Sequence, residues 1–212
     1  MERTVKQTRS LQTNIKTARA EQDNEMYIEG YSAVYNSETE LWPGAYEEIA
    51  PGAFNETLSN DIRALINHDT ALVLGRNKAG TLELKADSRG LWGRIKINPN
   101  DTDAVNLYER VKRGDVDQCS IGFNILEEEV EFREDGTVKW TLKKIDLHEV
   151  SVVTFPAYEA TSVQARMQEY EQHKKRQLEQ RKMKLKERVR NGFKTVKSAG
   201  ECLIIQILVN SL

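Results

Sequence analysis

Two nucleophilic side chains are adjacent in the stretch DVDQCSIGF, where Cys119 precedes Ser120. A serine hydroxyl becomes a useful nucleophile only when a base lies within hydrogen-bond reach, whereas a cysteine thiol is partly ionised near neutral pH. If this stretch is extended, adjacent side chains point to opposite faces of the strand, so the two residues cannot serve one site. A free cysteine is commonly a small buried apolar residue, and we interpret Cys119 in that way.

Histidine is the side chain that most often acts as the base for such a nucleophile. The chain has three histidines, of which His173 lies in a highly charged stretch and is expected to be solvated. His68 stands at the end of the strand-like run RALINH, with Asp69 beside it, and a base held at a strand end can reach a cleft. The stretch LHEV offers His148 and Glu149 as neighbours, and only one of them can face His68 if the stretch is extended.

The overall composition limits the classes of function. The 212 residues, 39% of them hydrophobic, suffice for one domain of ordinary size with additional segments. The 31 basic and 33 acidic residues nearly cancel, so no nucleic-acid partner is expected. The two cysteines are far apart and no zinc pattern is present, so neither a disulfide framework, a metal nor another cofactor is expected. The N-terminus lacks the apolar core of a signal peptide, which argues against export.

Short strand-like runs, rich in aromatic and β-branched residues and separated by turn signals, extend from Tyr27 onward. The stretch REDGTV between the last two runs predicts a hairpin with Asp135 and Gly136 in its turn. The pattern favours a mostly β fold, either a barrel or a sandwich, with few helices outside. In chain order the runs are MYIEGYSAVYN, DIRALINH, LVLGR, TLELKAD, LWGRIKIN, QCSIGFNILEEEVEF and KWTLKKIDLHEVSVVTF.

Helix signals occur in three places. The stretch NPNDTDAVNLYERVKRGD has cap candidates at Asp101 and Thr102, an apolar stripe and a stop at Gly114. A shorter helix is predicted in GAFNETLSN. After Ala165 the sequence contains strong helix formers and no proline, which predicts a long helix whose sparse apolar residues do not suit a buried core.

The long helix has two interpretations. It is either a solvated arm or a basic docking arm that binds an acidic partner through electrostatics weakened by salt. The apolar run from Cys202 to Val209 is too short to cross a bilayer, so no membrane partner is expected. That run suits a β-segment, an oligomer contact or a removable tail, and the residues do not choose among these.

Five stretches in the same order resemble the HK97-type phage prohead maturation proteases, which are serine peptidases with a herpesvirus-assemblin-like fold. These stretches are IEGYSAVYN, YEEIAPGAF, ALINHDTALVLGR with the following GTLELKADSRGLWGRIKI, VDQCSIGF, and LHEVSVVTFPAYEAT. The resemblance covers roughly residues 25–165 and implies a β-barrel with peripheral helices. Together with the change in composition after Ala165, it divides the chain into a partly extended N-terminal segment (1–24), a serine protease domain (25–165), a basic (charged) helical arm (166–198) and a short apolar tail (199–212).

The resemblance also implies roles for individual residues. Ser120, in the S-x-GF motif, corresponds to the nucleophile, and His68 to the general base. The EVS motif aligns on Glu149, which makes it the favoured residue to orient His68, with His148 as the alternative third member. Asp69 is a poorer candidate, because a residue directly beside the base is badly placed to accept a hydrogen bond from its ring.

The function implied by the resemblance is cleavage inside an assembling procapsid, within the host bacterial cytoplasm. The substrates would be the scaffolding region of the major capsid protein or a separate scaffold protein, and then the protease itself, with association between copies as a further expectation. The alternative is a non-enzymatic capsid assembly or scaffolding protein, in which a degenerate protease domain serves as a folding module.

Overall fold

The structure is a computed structural model that describes residues 3–11, 15–19, 25–155 and 160–197. The chain divides into two compact units, residues 1–163 and 164–212. The described residues form the strands β1 (Arg3–Leu11), β2 (Lys16–Arg19), β3 (Met26–Val34), β4 (Thr39–Trp42), β5 (Ala45–Ile49), β6 (Arg63–Ile66), β7 (Asp69–Arg76), β8 (Leu82–Ala86), β9 (Gly90–Lys96), β10 (Gln118–Phe132) and β11 (Val138–Val153), and the helices α1 (Thr102–Arg113) and α2 (Ala160–Lys197). A single turn of 3-10 helix spans Asn77–Ala79.

The strands of the first unit lie in two sheets. One sheet has the order β1-β10-β11-β5-β4, with β6 paired to the far end of β11 and β7 paired to β6. The other has the order β2-β3-β9-β8. The prediction of a mostly β fold with few helices is confirmed, and each of the seven strand-like runs overlaps a strand. Closure of the sheets into a barrel stays a prediction.

The long hairpin of β10 and β11 is the centre of the larger sheet, and its turn contains Asp135 and Gly136 as the sequence predicts. Ser120 lies opposite Ser151, and Gly122 lies opposite Glu149. The intervening residues, Ile121 and its neighbours Cys119, Phe123, Val150 and Val152, are buried in the apolar core. One face of this hairpin therefore packs against the core, while the opposite face holds the polar residues.

Helix α1 confirms the strongest helix prediction. The Asp101 carboxylate caps it by accepting hydrogen bonds from the backbone N–H groups of Asp103 and Ala104. Gly114 ends it with φ of 87°, a left-handed conformation that costs glycine little. Its buried stripe is Ala104, Leu107, Tyr108 and Val111.

The shorter helix predicted in GAFNETLSN is wrong, since this stretch forms consecutive turns. The carbonyl of Ala53 accepts a hydrogen bond from the backbone N–H of Ile145, and the Thr57 hydroxyl accepts one from the N–H of Leu147. Both groups are therefore used to fix the segment to β11. The buried Phe54 holds it against the core.

Helix α2 runs from Ala160 to Lys197 and confirms the predicted C-terminal helix. Apolar side chains along it, such as Met183 and Leu185, are exposed. Whether it is a solvated arm or a docking arm stays a prediction. The apolar tail, predicted at 199–212, lies outside the described residues. No helix in the described part of the chain is long and apolar enough to span a membrane.

Candidate active site

A β-bulge at His148 sets the direction of the Glu149 side chain. Leu147 pairs with Phe123 and Glu149 with Gly122, so His148 has no residue opposite it. One extra residue in a strand exchanges the faces of the side chains that follow it. Leu147 points into the core, and the bulge places Glu149 on the opposite face, which also carries Ser120.

Ser151 holds the Glu149 carboxylate on this face. The two residues are two positions apart on β11, and the Ser151 hydroxyl donates a hydrogen bond of 2.6 Å to Oε2 of Glu149. Both side chains are almost completely buried. A buried carboxylate costs free energy unless hydrogen bonds satisfy its oxygens, so this contact both stabilises Glu149 and fixes its orientation.

His68 lies in the two-residue turn between β6 and β7. Ile66 pairs with Asp69, which leaves Asn67 and His68 as the central residues of the turn. Their φ angles, 49° and 62°, are both positive, as a type I′ hairpin turn requires. The sequence placed His68 at the end of a strand; the structure places it one step further, at the tip of a tight hairpin.

Asn67 fixes this tip to the end of β11. Its backbone N–H donates to the carbonyl of Val152 at 3.0 Å, and its side-chain Oδ1 accepts from the N–H of Thr154 at 2.9 Å. Asparagine also tolerates positive φ better than most residues. The position of His68 thus follows from the pairing of β6 with β11 together with these two hydrogen bonds.

The base of the same hairpin is closed by an ion pair. The Arg76 guanidinium donates two hydrogen bonds of 2.6 Å to the Asp61 carboxylate. The hydrogen bonds from Arg76 lower the pKa of the Asp61 carboxyl from its ordinary value. Because the pair is exposed, it contributes little stability.

The imidazole of His68 and the carboxylate of Glu149 are in direct contact. Nδ1 of His68 lies 2.6 Å from Oε1 of Glu149, and the side chains are 16% and 3% exposed. A carboxylate at this position accepts a hydrogen bond from the Nδ1–H group and leaves Nε2 as the nitrogen that can take a further proton. Nε2 is buried and has no hydrogen-bond partner among the residues described.

Ser120 is fully buried and lies one strand away from Ser151 in the register of the sheet. Directly opposite residues of an antiparallel pair project from the same face, with Cβ atoms about 4.5–5.5 Å apart. Ser120 therefore shares a face with Ser151 and Glu149. Its hydroxyl donates a hydrogen bond of 2.9 Å to the backbone carbonyl of Arg9 on β1.

The other sequence candidates lie elsewhere. His148, in the bulge, has a side chain 39% exposed and 4.0 Å from Asp146. The Asp69 carboxylate is used locally, accepting from the backbone N–H of Ala71 at 2.8 Å. Cys119 is buried in the core cluster, on the face opposite Ser120. Of the residues considered from the sequence, it is Glu149 that the geometry brings to His68.

A cleft of about 360 Å³ opens beside the His68 turn, lined by Asn67, His68, Val153, Thr154 and Phe155. Phe155 is 80% exposed. An exposed aromatic ring next to a buried histidine offers apolar contact area to a bound chain. The cleft thus gives a route to the imidazole from solvent.

Two residues of the site are missing from the sequence candidates, Asn67 and Ser151. Both stand inside the stretches already singled out, INHD and EVS. An asparagine beside a histidine between two apolar runs is a signal for a two-residue turn. The role of Ser151 in the site depends on the β-bulge at His148, and no local pattern of residues indicates this bulge.

Comparison with known proteins gives consistent relatives. The sequence profile of the family described as Caudovirus prohead serine protease matches residues 13–176. The prohead protease of Enterobacteria phage HK97 is 30% identical over 143 residues, which cover 65% of this chain and 59% of that protein. The chain thus spans less than two thirds of that relative's length. The structure of the capsid assembly protease of bacteriophage T4 aligns with a TM-score of 0.44 and 11% identity, covering 70% of this chain and 96% of that one.

Proposed function

Because the chain belongs to the caudovirus prohead serine protease family, we propose that it is a serine endopeptidase of capsid maturation with Ser120, His68 and Glu149 as its catalytic group. The observation that carries the proposal is the contact of 2.6 Å between Nδ1 of His68 and Oε1 of Glu149. It orients the imidazole so that Nε2 is the nitrogen available to a nucleophile.

The roles of the three residues follow from the requirements of acyl transfer. Ser120 attacks the scissile carbonyl carbon while His68 takes its proton at Nε2 and later gives it to the leaving amine. Glu149 holds the ring and stabilises the imidazolium that forms, as the acidic member of a catalytic triad does. Ser151 is a positioning residue, because it acts through Glu149.

The proposed substrates are proteins of the assembling capsid. They are the scaffolding region of the major capsid protein or a separate scaffold protein, followed by the protease itself, inside the procapsid in the host cytoplasm. Residues 25–165 would form the protease domain, with residues 166–198 as the arm that brings the enzyme into the shell. A chain truncated after Arg166 should then retain peptidase activity and lose incorporation into proheads, whereas equal incorporation would contradict this role of the arm.

A serine-reactive probe tests the assignment of the nucleophile. The full-length protein, coexpressed with the capsid protein of its phage, would be treated with a fluorophosphonate and mapped by peptide mass spectrometry. Labelling is expected at Ser120, lost in Ser120→Ala and strongly reduced in His68→Ala, because the hydroxyl needs its base. Cys119→Ala is the matched control and should be labelled like the unmodified protein.

The same experiment separates the enzyme from its alternative. If the assembled protein shows no labelling at Ser120, the chain acts as a non-enzymatic assembly module. If Cys119→Ala abolishes activity while Ser120→Ala leaves it intact, the nucleophile is the cysteine and the assignment is wrong.

A further inference from the structure

The side of β10 that faces away from β11 is occupied by the N-terminal strand β1. Residues 7–11 of β1 run antiparallel to β10, with Arg9 opposite Ile121 and Ser10 opposite Ser120. Addition of a strand to a sheet edge is a common way in which proteins hold an extended peptide. The chain thus places its own N-terminal segment against the strand that carries the proposed nucleophile.

One residue of this strand, Arg9, reaches the proposed nucleophile through its backbone. Its carbonyl oxygen accepts the hydrogen bond of 2.9 Å from the Ser120 hydroxyl. In a serine peptidase, the carbonyl beside the nucleophile belongs to the residue on the N-terminal side of the scissile bond, the P1 residue. The hydrogen bond therefore puts the Arg9 carbonyl group next to Ser120 Oγ.

The side chain of Arg9 is buried and contacts the carboxylate of Glu47, together with the carbonyl of Thr8 and the side-chain oxygen of Gln7. Its guanidinium pairs with the carboxylate of Glu47 on β5 through two nitrogens, with Nη2 3.1 Å from Oε2. Both side chains are 5% exposed. The Phe123 ring lies beneath the guanidinium carbon, with 5.9 Å to the ring centroid. Arginines are rarely buried unless paired, and a fork of two charge-assisted bonds recognises the guanidinium shape as well as its charge.

A purely structural ion pair would account for the burial of Arg9 and Glu47. Such a pair is a weak source of stability, because the cost of removing two charges from water offsets their attraction. The ion pair would not account for the hydrogen bond between the carbonyl of Arg9 and the hydroxyl of Ser120. Arg9 thus contacts Ser120 through its carbonyl group and Glu47 through its guanidinium.

We infer that Arg9 occupies the P1 position of the substrate site and that Glu47 makes this site selective for a basic P1 side chain, arginine or lysine. The inference rests on the proposed function. Strand β1 then holds the place of a substrate in cis, and the bond between Arg9 and Ser10 is the corresponding self-cleavage bond.

Cleavage there would follow the ordinary course of acyl transfer. Ser120 Oγ forms a bond to the carbonyl carbon of Arg9, and the bond to the Ser10 nitrogen breaks as His68 passes the hydroxyl proton to that nitrogen. Water then releases Arg9 as a carboxylate and restores the Ser120 hydroxyl. The products are a peptide ending at Arg9 and a protease beginning at Ser10.

A peptide series tests the selectivity directly. The full-length protein is given four fluorogenic peptides that are identical except for arginine, lysine, glutamine or glutamate at P1. We expect kcat/KM to favour the basic peptides over the glutamine peptide by roughly ten- to hundredfold, the range of a hydrogen bond to a charged partner. Glu47→Gln should reduce this preference to about threefold or less, mainly through KM for the basic peptides.

Glu48→Gln is the matched control, because Glu48 is the next residue on β5 and pairs with Lys139 instead. It should leave the preference unchanged. Glu47→Asp keeps the negative charge and should retain a preference for basic residues. Thermal unfolding of each variant verifies that it is folded.

Intact mass gives a second readout that does not depend on added peptides. On coexpression with the capsid protein, a species beginning at Ser10 is expected, and it should disappear in Ser120→Ala. Arg9→Lys should preserve this species and Arg9→Gln should remove it. This mass measurement remains informative even if the Glu47→Gln protein fails to fold.

The outcomes distinguish the inference from the function on which it rests. If no peptide or protein is cleaved in a Ser120-dependent manner, the proposed function fails. If cleavage depends on Ser120 but shows no preference for a basic P1 residue, or a preference that Glu47→Gln leaves unchanged, the inference alone is overturned.

Discussion

The two ends of strand β10 have opposite characters. Residues 119–123, at the site end, are all buried, whereas residues 126–132, at the turn end, are exposed or half-buried. At the turn end, carboxylates pair with lysines of β11, for example Glu129 with Lys143 at 3.0 Å. At the site end, the polar groups are Ser120, Glu149 and Ser151, and they lie out of reach of bulk water.

This difference determines how much free energy is lost when a side chain at either end is replaced. Exposed ion pairs are screened by water and contribute about 0–1 kcal/mol. Buried polar groups keep their full desolvation cost when a partner is lost. We therefore expect one end of the hairpin to tolerate substitution and the other, which contains the β-bulge at His148, to be sensitive to it.

The largest effect is expected for Glu149→Gln. The amide retains the shape of the carboxylate but removes the charge that orients the His68 imidazole, so kcat/KM for proteolysis should fall by roughly 10³- to 10⁴-fold. Glu129→Gln makes the same chemical change at the turn end and should leave the rate within a factor of two of the unmodified protein.

His148→Phe sharpens the same comparison. Because His148 projects from the bulge toward solvent, this change should leave proteolysis nearly unaltered. If His148→Phe abolished activity and Glu149→Gln did not, the third member of the catalytic group would be His148.

Next in size is the effect of Ile121→Ala on stability. Ile121 is completely buried and follows Ser120 on β10, so its truncation should lower the free energy of unfolding by about 2–5 kcal/mol. Leu126→Ala removes a side chain that is more than half exposed and should cost less than about 1 kcal/mol. Denaturant unfolding measures both; equal losses would mean that the two ends do not differ in packing.

A smaller effect on catalysis is expected for Ser151→Ala. Loss of the hydrogen bond to Oε2 leaves Glu149 less firmly oriented, and one such bond to a charged group is worth about 1.5–3 kcal/mol. The expected decrease in kcat is therefore roughly ten- to hundredfold, with KM little changed. Ser151→Thr, which retains the hydroxyl, should restore most of the rate; failure of this rescue would point to packing as the cause.

The smallest effect is expected for Lys143→Ala at the turn end. The ion pair with Glu129 is solvated, so the free energy of unfolding should change by less than about 0.5 kcal/mol. Chemical denaturation in low and high salt would detect a larger contribution. A loss of 2 kcal/mol or more would show that this end is not the tolerant one.

Much of the fold can be predicted from the sequence, because local chemistry determines it. The caps of α1, Asp101 and Gly114, define both ends of that helix. The apolar and β-branched runs define β3 and β6 to β11. The sequence predicts a helix where the turns around Phe54 lie, because the hydrogen bonds of these turns to β11 are long-range and are not visible in the local pattern.

The sequence proposes residues for the candidate site, but it does not predict their geometry. Strand alternation separates Ser120 from Cys119, as predicted. Alternation alone would send Glu149 to the core side, two residues after the buried Leu147, and only the bulge reverses its direction. The EVS motif therefore favours Glu149 over His148, whereas the period of the strand does not.

Strand β1 and the contacts of the Arg9 side chain cannot be predicted from local sequence patterns. The stretch RTVKQTRSL is polar and shows no clean alternation of apolar residues. It becomes a strand by pairing with an available edge of β10, and Glu47 lies 38 residues away from Arg9 in sequence. Contacts of this kind depend on the complete sheet.

The most direct test of the central claim is the mass of the protein fragments formed on coexpression with the capsid protein. The unmodified protease should yield shortened forms of the capsid or scaffold protein and of itself. The Ser120→Ala protein, which is isosteric apart from one hydroxyl, should leave every chain at full length. Fragments of the same masses from the Ser120→Ala protein would contradict the assignment of Ser120 as the nucleophile.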